Sequence, residues 1–136
     1  MSVTGPGDGS RADVELRLPA DTAFVSVLRT TSAGLAARLD FTLDDIEDLR
    51  MAVGEASALV LPSADPGTDL ECRFYMEPGR LTVVVGVSSA SAQAPDTDSF
   101  AWQVLTTLAG DATTSVEGGR FEVTITMQSE LQDDAG

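Results

Sequence analysis

From Leu70 to Val87 the chain alternates apolar and polar residues on both sides of a Pro78-Gly79 pair, and that pattern leaves little choice of structure. Leu70, Cys72, Phe74 and Met76 alternate with Glu71, Arg73, Tyr75 and Glu77, and Leu81, Val83, Val85 and Val87 line the returning run. A two-residue period on either side of a turn pair predicts a β-hairpin with one face in a core. A second hairpin follows the same logic. Ala112 to Val116 form a short strand, Gly118-Gly119 a tight turn, and Phe121, Val123, Ile125 and Met127 alternate with polar residues in a last strand. Near the start, Val14, Leu16 and Leu18 alternate with Asp13, Glu15 and Arg17 in a half-buried strand that Pro19 ends.

The segments between the strands have to cover the apolar face. Asp21 can cap a helix beginning near Thr22, with Phe24, Val27, Leu28, Leu35 and Leu39 on one face; Gly34, Thr30 and Thr31 weaken its middle. Thr42 suits the N-cap of a second helix, with Asp45 three residues on in the manner of a capping box. Asp44, Asp45, Glu47 and Asp48 read as a helix start and a solvent face. Leu43, Ile46, Leu49, Val53, Ala56 and Val60 supply the helical period, which Pro62 stops. After a polar loop from Ser88 to Asp98, a third helix is predicted from Ser99 to Ala109, with Ala101, Val104, Leu105 and Leu108 facing inward. The order strand, helix, helix, hairpin, loop, helix, hairpin predicts an α/β (α+β) two-layer sandwich: a mostly antiparallel mixed sheet with three helices on one face. Residues 13–128 form that domain, residues 1–12 a flexible arm, and residues 129–136 a disordered acidic tail.

Apolar residues make up 43% of the 136 residues, enough for a core, and at 5% aromatic that core should be mainly aliphatic. The formal net charge of -14 argues against binding to nucleic acid or an anionic membrane, and favours steering toward a basic partner. The chain contains no histidine, which excludes histidine bases, histidine phosphoacceptors and histidine metal sites. Its one cysteine, Cys72, falls on the inward face of a strand and reads as a buried structural thiol. No apolar run is long enough to span a bilayer, and the first nine residues lack the features of a signal peptide, so a cytoplasmic location is expected.

The element order, together with Leu39-Asp40-Phe41-Thr42-Leu43-Asp44-Asp45-Ile46-Glu47-Asp48-Leu49-Arg50 and Val53-Gly54-Glu55-Ala56, resembles the GHKL (histidine-kinase-like) ATPase superfamily. Within it, the likeness is to bacterial anti-sigma factors that double as serine kinases, and Ser99-Phe100-Ala101-Trp102-Gln103-Val104-Leu105 looks like their actinobacterial subgroup. The resemblance covers roughly Val14 to Met127.

In that family the second helix carries a glutamate base and, four residues on, an asparagine that helps hold magnesium. The glutamate position matches Glu55, but the asparagine position is Leu59, which offers no oxygen to a hard cation. The family's adenine-reading Asp-x-Gly segment falls at Val87-Ser88-Ser89-Ala90-Ser91, which has neither the carboxylate nor the glycine. The glycine-rich phosphate turn falls at Ser99 to Trp102, where Phe100 and Trp102 would obstruct a phosphate cradle or fill the space it left. Leu59, Ser88, Ser89, Phe100 and Trp102 thus mark a degenerate nucleotide pocket, with Glu55 a remnant of the base.

The resemblance further implies that Arg29, which matches a partner-contacting arginine of the first helix, anchors a protein partner. The leading expectation is an anti-sigma factor that sequesters a stress- or development-related sigma factor, is released by a STAS-type anti-anti-sigma protein, and needs no cofactor. Homodimers are common in the family. Two other readings stay open: an active ATP- and magnesium-dependent serine kinase acting on the anti-anti-sigma factor through Glu55, and a pseudo-enzyme whose altered pocket takes another small ligand.

Overall fold

In the computed structural model, residues 11–129 are described; apart from residues 11, 12 and 129, the expected arm and acidic tail lie outside them. The elements run β1 (Val14–Pro19), a short 3-10 turn (Thr22–Phe24), α1 (Val25–Arg38), α2 (Leu43–Val60), a second 3-10 turn (Leu61–Ser63), β2 (Asp69–Glu77), β3 (Arg80–Ser88), α3 (Phe100–Leu108), β4 (Asp111–Glu117) and β5 (Arg120–Gln128). The five strands form one sheet in the order β1-β2-β3-β5-β4, and every neighbouring pair is antiparallel.

Register explains the core. Leu18, Leu70, Val87 and Phe121 stand in one row across four strands; Leu16, Cys72, Val85 and Val123 form the next, and Val14, Phe74, Val83 and Ile125 the third. Side chains alternate across a strand, so these rows share one face. α2 lies against β3 and β5 on that face, and α1 and α3 pack on α2 from either side. Phe74, Leu28, Leu49, Leu105 and Ile125 are fully buried, each contributing roughly 1.5–3 kcal/mol on removal from water.

The helices depart from the sequence reading where a small or polar residue took a core position. α1 buries Val25, Leu28, Ser32 and Ala36, whereas Phe24 and Val27, expected inward, are 37% and 41% exposed. Ser32 and Ala36 continue the turn-by-turn spacing from Leu28, so Val27 falls to one side of it. Leu43 is 79% exposed because it lies about 120° around α2 from Leu49 at 3.6 residues per turn. Asp45, expected on the solvent face, is one turn before Leu49 and is buried, 7% exposed. In α3 the buried residues are Trp102 and Leu105, with Ala101, Val104 and Leu108 only half-buried.

The other face of the sheet carries no helix and is closed by charge. Arg17, Glu71, Gly86 and Glu122 share one row. Arg120 reaches across β3 to Glu71 (3.0 Å) and also meets Glu122 (3.3 Å); Arg73 meets Glu122 at 3.1 Å and Arg17 meets Glu71 at 3.3 Å. A Cβ on Gly86 would fall 2.8 Å from both the Arg120 Nη2 and the Glu122 Cγ, so the missing side chain is what lets these groups lie over β3. Val84, in the neighbouring outward row, is only 1% exposed.

Candidate functional site

α2 carries the two positions that the resemblance singles out. Thr42 starts it, its hydroxyl accepting a hydrogen bond from the Asp45 amide (3.1 Å), and eighteen helical residues follow. Glu55 lines a shallow cavity of about 320 Å³ together with Arg29, Glu47, Arg50 and Met51. Leu59 does not line it. Its side chain is half-buried and packs against the hydrophobic core.

Arg29, on α1, is exposed, and its guanidinium rests against α2 at Gly54. None of the ion pairs among the described residues involves Arg29. The structure therefore brings Arg29 and Glu55 into one cavity, with Gly54 beneath the guanidinium. The sequence reading did not connect these residues; a glycine in the middle of a helix, where it weakens the helix, was the available signal.

The remaining predicted positions lie beyond the end of β3 and at the start of α3. Ser88 accepts a hydrogen bond from Arg120 Nη1 at 3.4 Å. Ser89 is 3% exposed; its amide donates to the Gly119 carbonyl (2.8 Å), while its hydroxyl has no hydrogen-bond partner. Trp102 is buried in the core cluster, against which Leu59, Leu61, Ala64 and Ala92 also pack. The Trp102 amide donates to the Ser99 hydroxyl (3.2 Å), so the first turn of α3 is capped by its own chain. Phe100 corrects part of an expectation: the first residue of α3, it is 83% exposed and so does not fill the space around Trp102.

Cavities elsewhere are larger. One of about 690 Å³ lies between the α1–α2 turn and the β2–β3 turn, lined by Arg38, Asp40, Met76 and Glu77 among others. A second, about 420 Å³, is lined by Asp45, Asp48 and the α3–β4 turn. Neither touches a predicted site residue. Among the described residues no group of three or more Cys, Asp or Glu side chains could hold a metal ion, and no helix is long and apolar enough to cross a membrane.

No family model matches the chain. Over 88 residues it is 38% identical to the serine-protein kinase RsbW of Halalkalibacterium halodurans, an alignment covering 64% of this chain and 52% of that protein. Over 75 residues it is 36% identical to RsbW of Bacillus subtilis, covering 53% and 47%. The chain is similar to RsbW over this stretch. It spans about half the length of these curated RsbW relatives. The RsbU and RsbW domains of a Mycobacterium tuberculosis protein superpose on it with a TM-score of 0.61 and 15% identity, covering 85% of this chain and 32% of that one, which shows a shared fold. The two-layer architecture and the resemblance to GHKL-type anti-sigma factors and serine kinases accord with this similarity to RsbW.

Proposed function

We propose that the chain is an anti-sigma factor acting in the cytoplasm, which holds an alternative sigma factor away from RNA polymerase core and gives it up to a competing STAS-type protein. Binding is mutually exclusive, and no phosphoryl transfer is involved. The observation that carries this reading is the fate of the nucleotide positions on an RsbW-like scaffold: Leu59 and Trp102 belong to the hydrophobic packing. A magnesium ion needs oxygen ligands, and Leu59 has none. A phosphate needs free amides, and the Trp102 amide is already bonded to Ser99. These residues do not fit a magnesium nucleotide. The acidic surface supports the partner class, because sigma factors expose basic regions for polymerase and DNA.

A pull-down from the native host with the tagged chain tests the partner class, and recovery of neither a sigma factor nor a STAS protein would overturn it. Calorimetry with millimolar magnesium–ATP tests the pocket, the expected result being no heat of binding. The sole tryptophan, Trp102, offers a second readout, since its emission should not respond to the nucleotide.

One observation favours the rival reading, an active serine kinase. Glu55 keeps its carboxylate, lines an open cavity, and lies on a chain whose curated relatives are named serine-protein kinases. Transfer of labelled phosphate from ATP to a serine of the STAS partner, abolished by Glu55→Gln, would establish it.

A further inference from the structure

A glycine inside a helix weakens that helix relative to alanine, so one held in the middle of α2 calls for a steric reason. Gly54 has one and Gly34 in α1 does not: a Cβ built on Gly34 would meet nothing within 4 Å. On Gly54 it would fall 2.7 Å from Arg29 Nη2, 2.9 Å from Nε and 3.2 Å from Cζ. Three atoms of one guanidinium thus occupy the space that any side chain at position 54 would take. Among the described residues no carboxylate lies within ion-pair distance of this guanidinium, although the chain carries 22 acidic residues against 8 basic ones. In so acidic a protein, an arginine seated against a helix yet unpaired is an open binding group.

We propose that Gly54 is the positioning residue for Arg29, and that the seat they form takes a single carboxylate side chain of the protein partner, flanked by apolar residues. This rests on the reading of Arg29 as a partner anchor. The chemistry of the cavity sets the partner's features. A guanidinium fork matches a carboxylate in two parallel hydrogen bonds. Glu47, paired with Arg50 at 4.0 Å, and Glu55 border the same cavity, so Arg29 is the cation left open to a partner and one carboxylate is better matched than an acidic cluster. Met51, 54% exposed beside them, offers the apolar contact that would flank the ion pair and keep water from it. Net charge brings a basic partner near, whereas this seat fixes how it docks.

The decisive variant is Gly54→Ala. The atoms it displaces are the far end of a flexible side chain, so the fold survives and the melting temperature should be unchanged or raised. The Arg29 Nε–Hε NMR signal, read on the full chain without any partner, should become more mobile in Gly54→Ala. An unchanged signal would overturn the positioning role. Affinity for the sigma factor recovered by the pull-down should fall at least tenfold in Gly54→Ala and in Arg29→Ala, and no further in the double variant. Arg29→Lys should restore only part of the loss. Wild-type affinity in Gly54→Ala with a loss in Arg29→Ala would overturn the seat alone. Wild-type affinity in Arg29→Ala would overturn the anchor reading beneath it.

Discussion

Glu122 sits between Arg73 and Arg120 on the open face of the sheet, and its acid–base behaviour follows from that position. Burial on its own would raise its pKa; hydrogen bonds and charge from Arg73 and then Arg120 outweigh burial and hold the carboxyl below its ordinary 4.5. A carboxyl with a folded pKa below its unfolded one stabilises the fold above the unfolded value, and that contribution is lost as pH falls through the folded value. Glu122→Gln should therefore cost about 1 kcal/mol at pH 7. Urea titrations at successive pH values should show the difference from wild type shrinking below pH 4.5. At Leu59, restoring the family's asparagine should cost about 2 kcal/mol, because it places an amide against apolar packing. It should not create magnesium–ATP binding, which calorimetry on the variant would check. Cys72 is 1% exposed, and burial ahead of the charge on Glu71 pushes its thiol up to about 12. It should react with a thiol reagent only when the chain unfolds.

At the level of elements, the turn between α1 and α2 holds a correctable strain. Asp40 has φ of 63°, a left-handed conformation that favours glycine. Its amide donates to the Ala37 carbonyl (3.0 Å) and the next amide, Phe41, to Ala36 (3.1 Å), the pair of bonds that closes a helix in a Schellman motif. Asp40→Gly should keep both bonds, relieve the backbone, and remove a negative charge from a helix C-terminus. Thermal melting should report a gain of about 0.5–1 kcal/mol. Both hairpins and the start of α2 were legible in the sequence, because a two-residue period and a capping threonine are local signals. The face of α1 was not, since Ser32 and Ala36 hold core positions that hydrophobicity alone assigns to Phe24 and Val27. The burial of Asp45 was hidden for the same reason. Of the candidate positions, Glu55, Leu59 and Trp102 could be found by matching the helix and turn motifs, and among them Glu55 alone lines the cavity with Arg29. The contact of Arg29 with Gly54 could not, because it depends on how two helices cross.

At the scale of the whole molecule, the charge of -14 predicts an association rate with a basic partner that drops steeply with salt. Stopped-flow mixing with the sigma factor should show the on-rate falling about tenfold or more between low and high ionic strength, while the off-rate changes far less. Similarity to RsbW over part of the chain and the fold shared with an RsbW-domain structure describe the scaffold. The two sides of that scaffold differ in what they leave available. Because residue 86 ends at its α-carbon, arginines and glutamates from β2 and β5 meet over the middle strand and satisfy one another. An incoming polypeptide would have to compete with those links before making any of its own, which under the proposed function favours the helices opposite as the docking side.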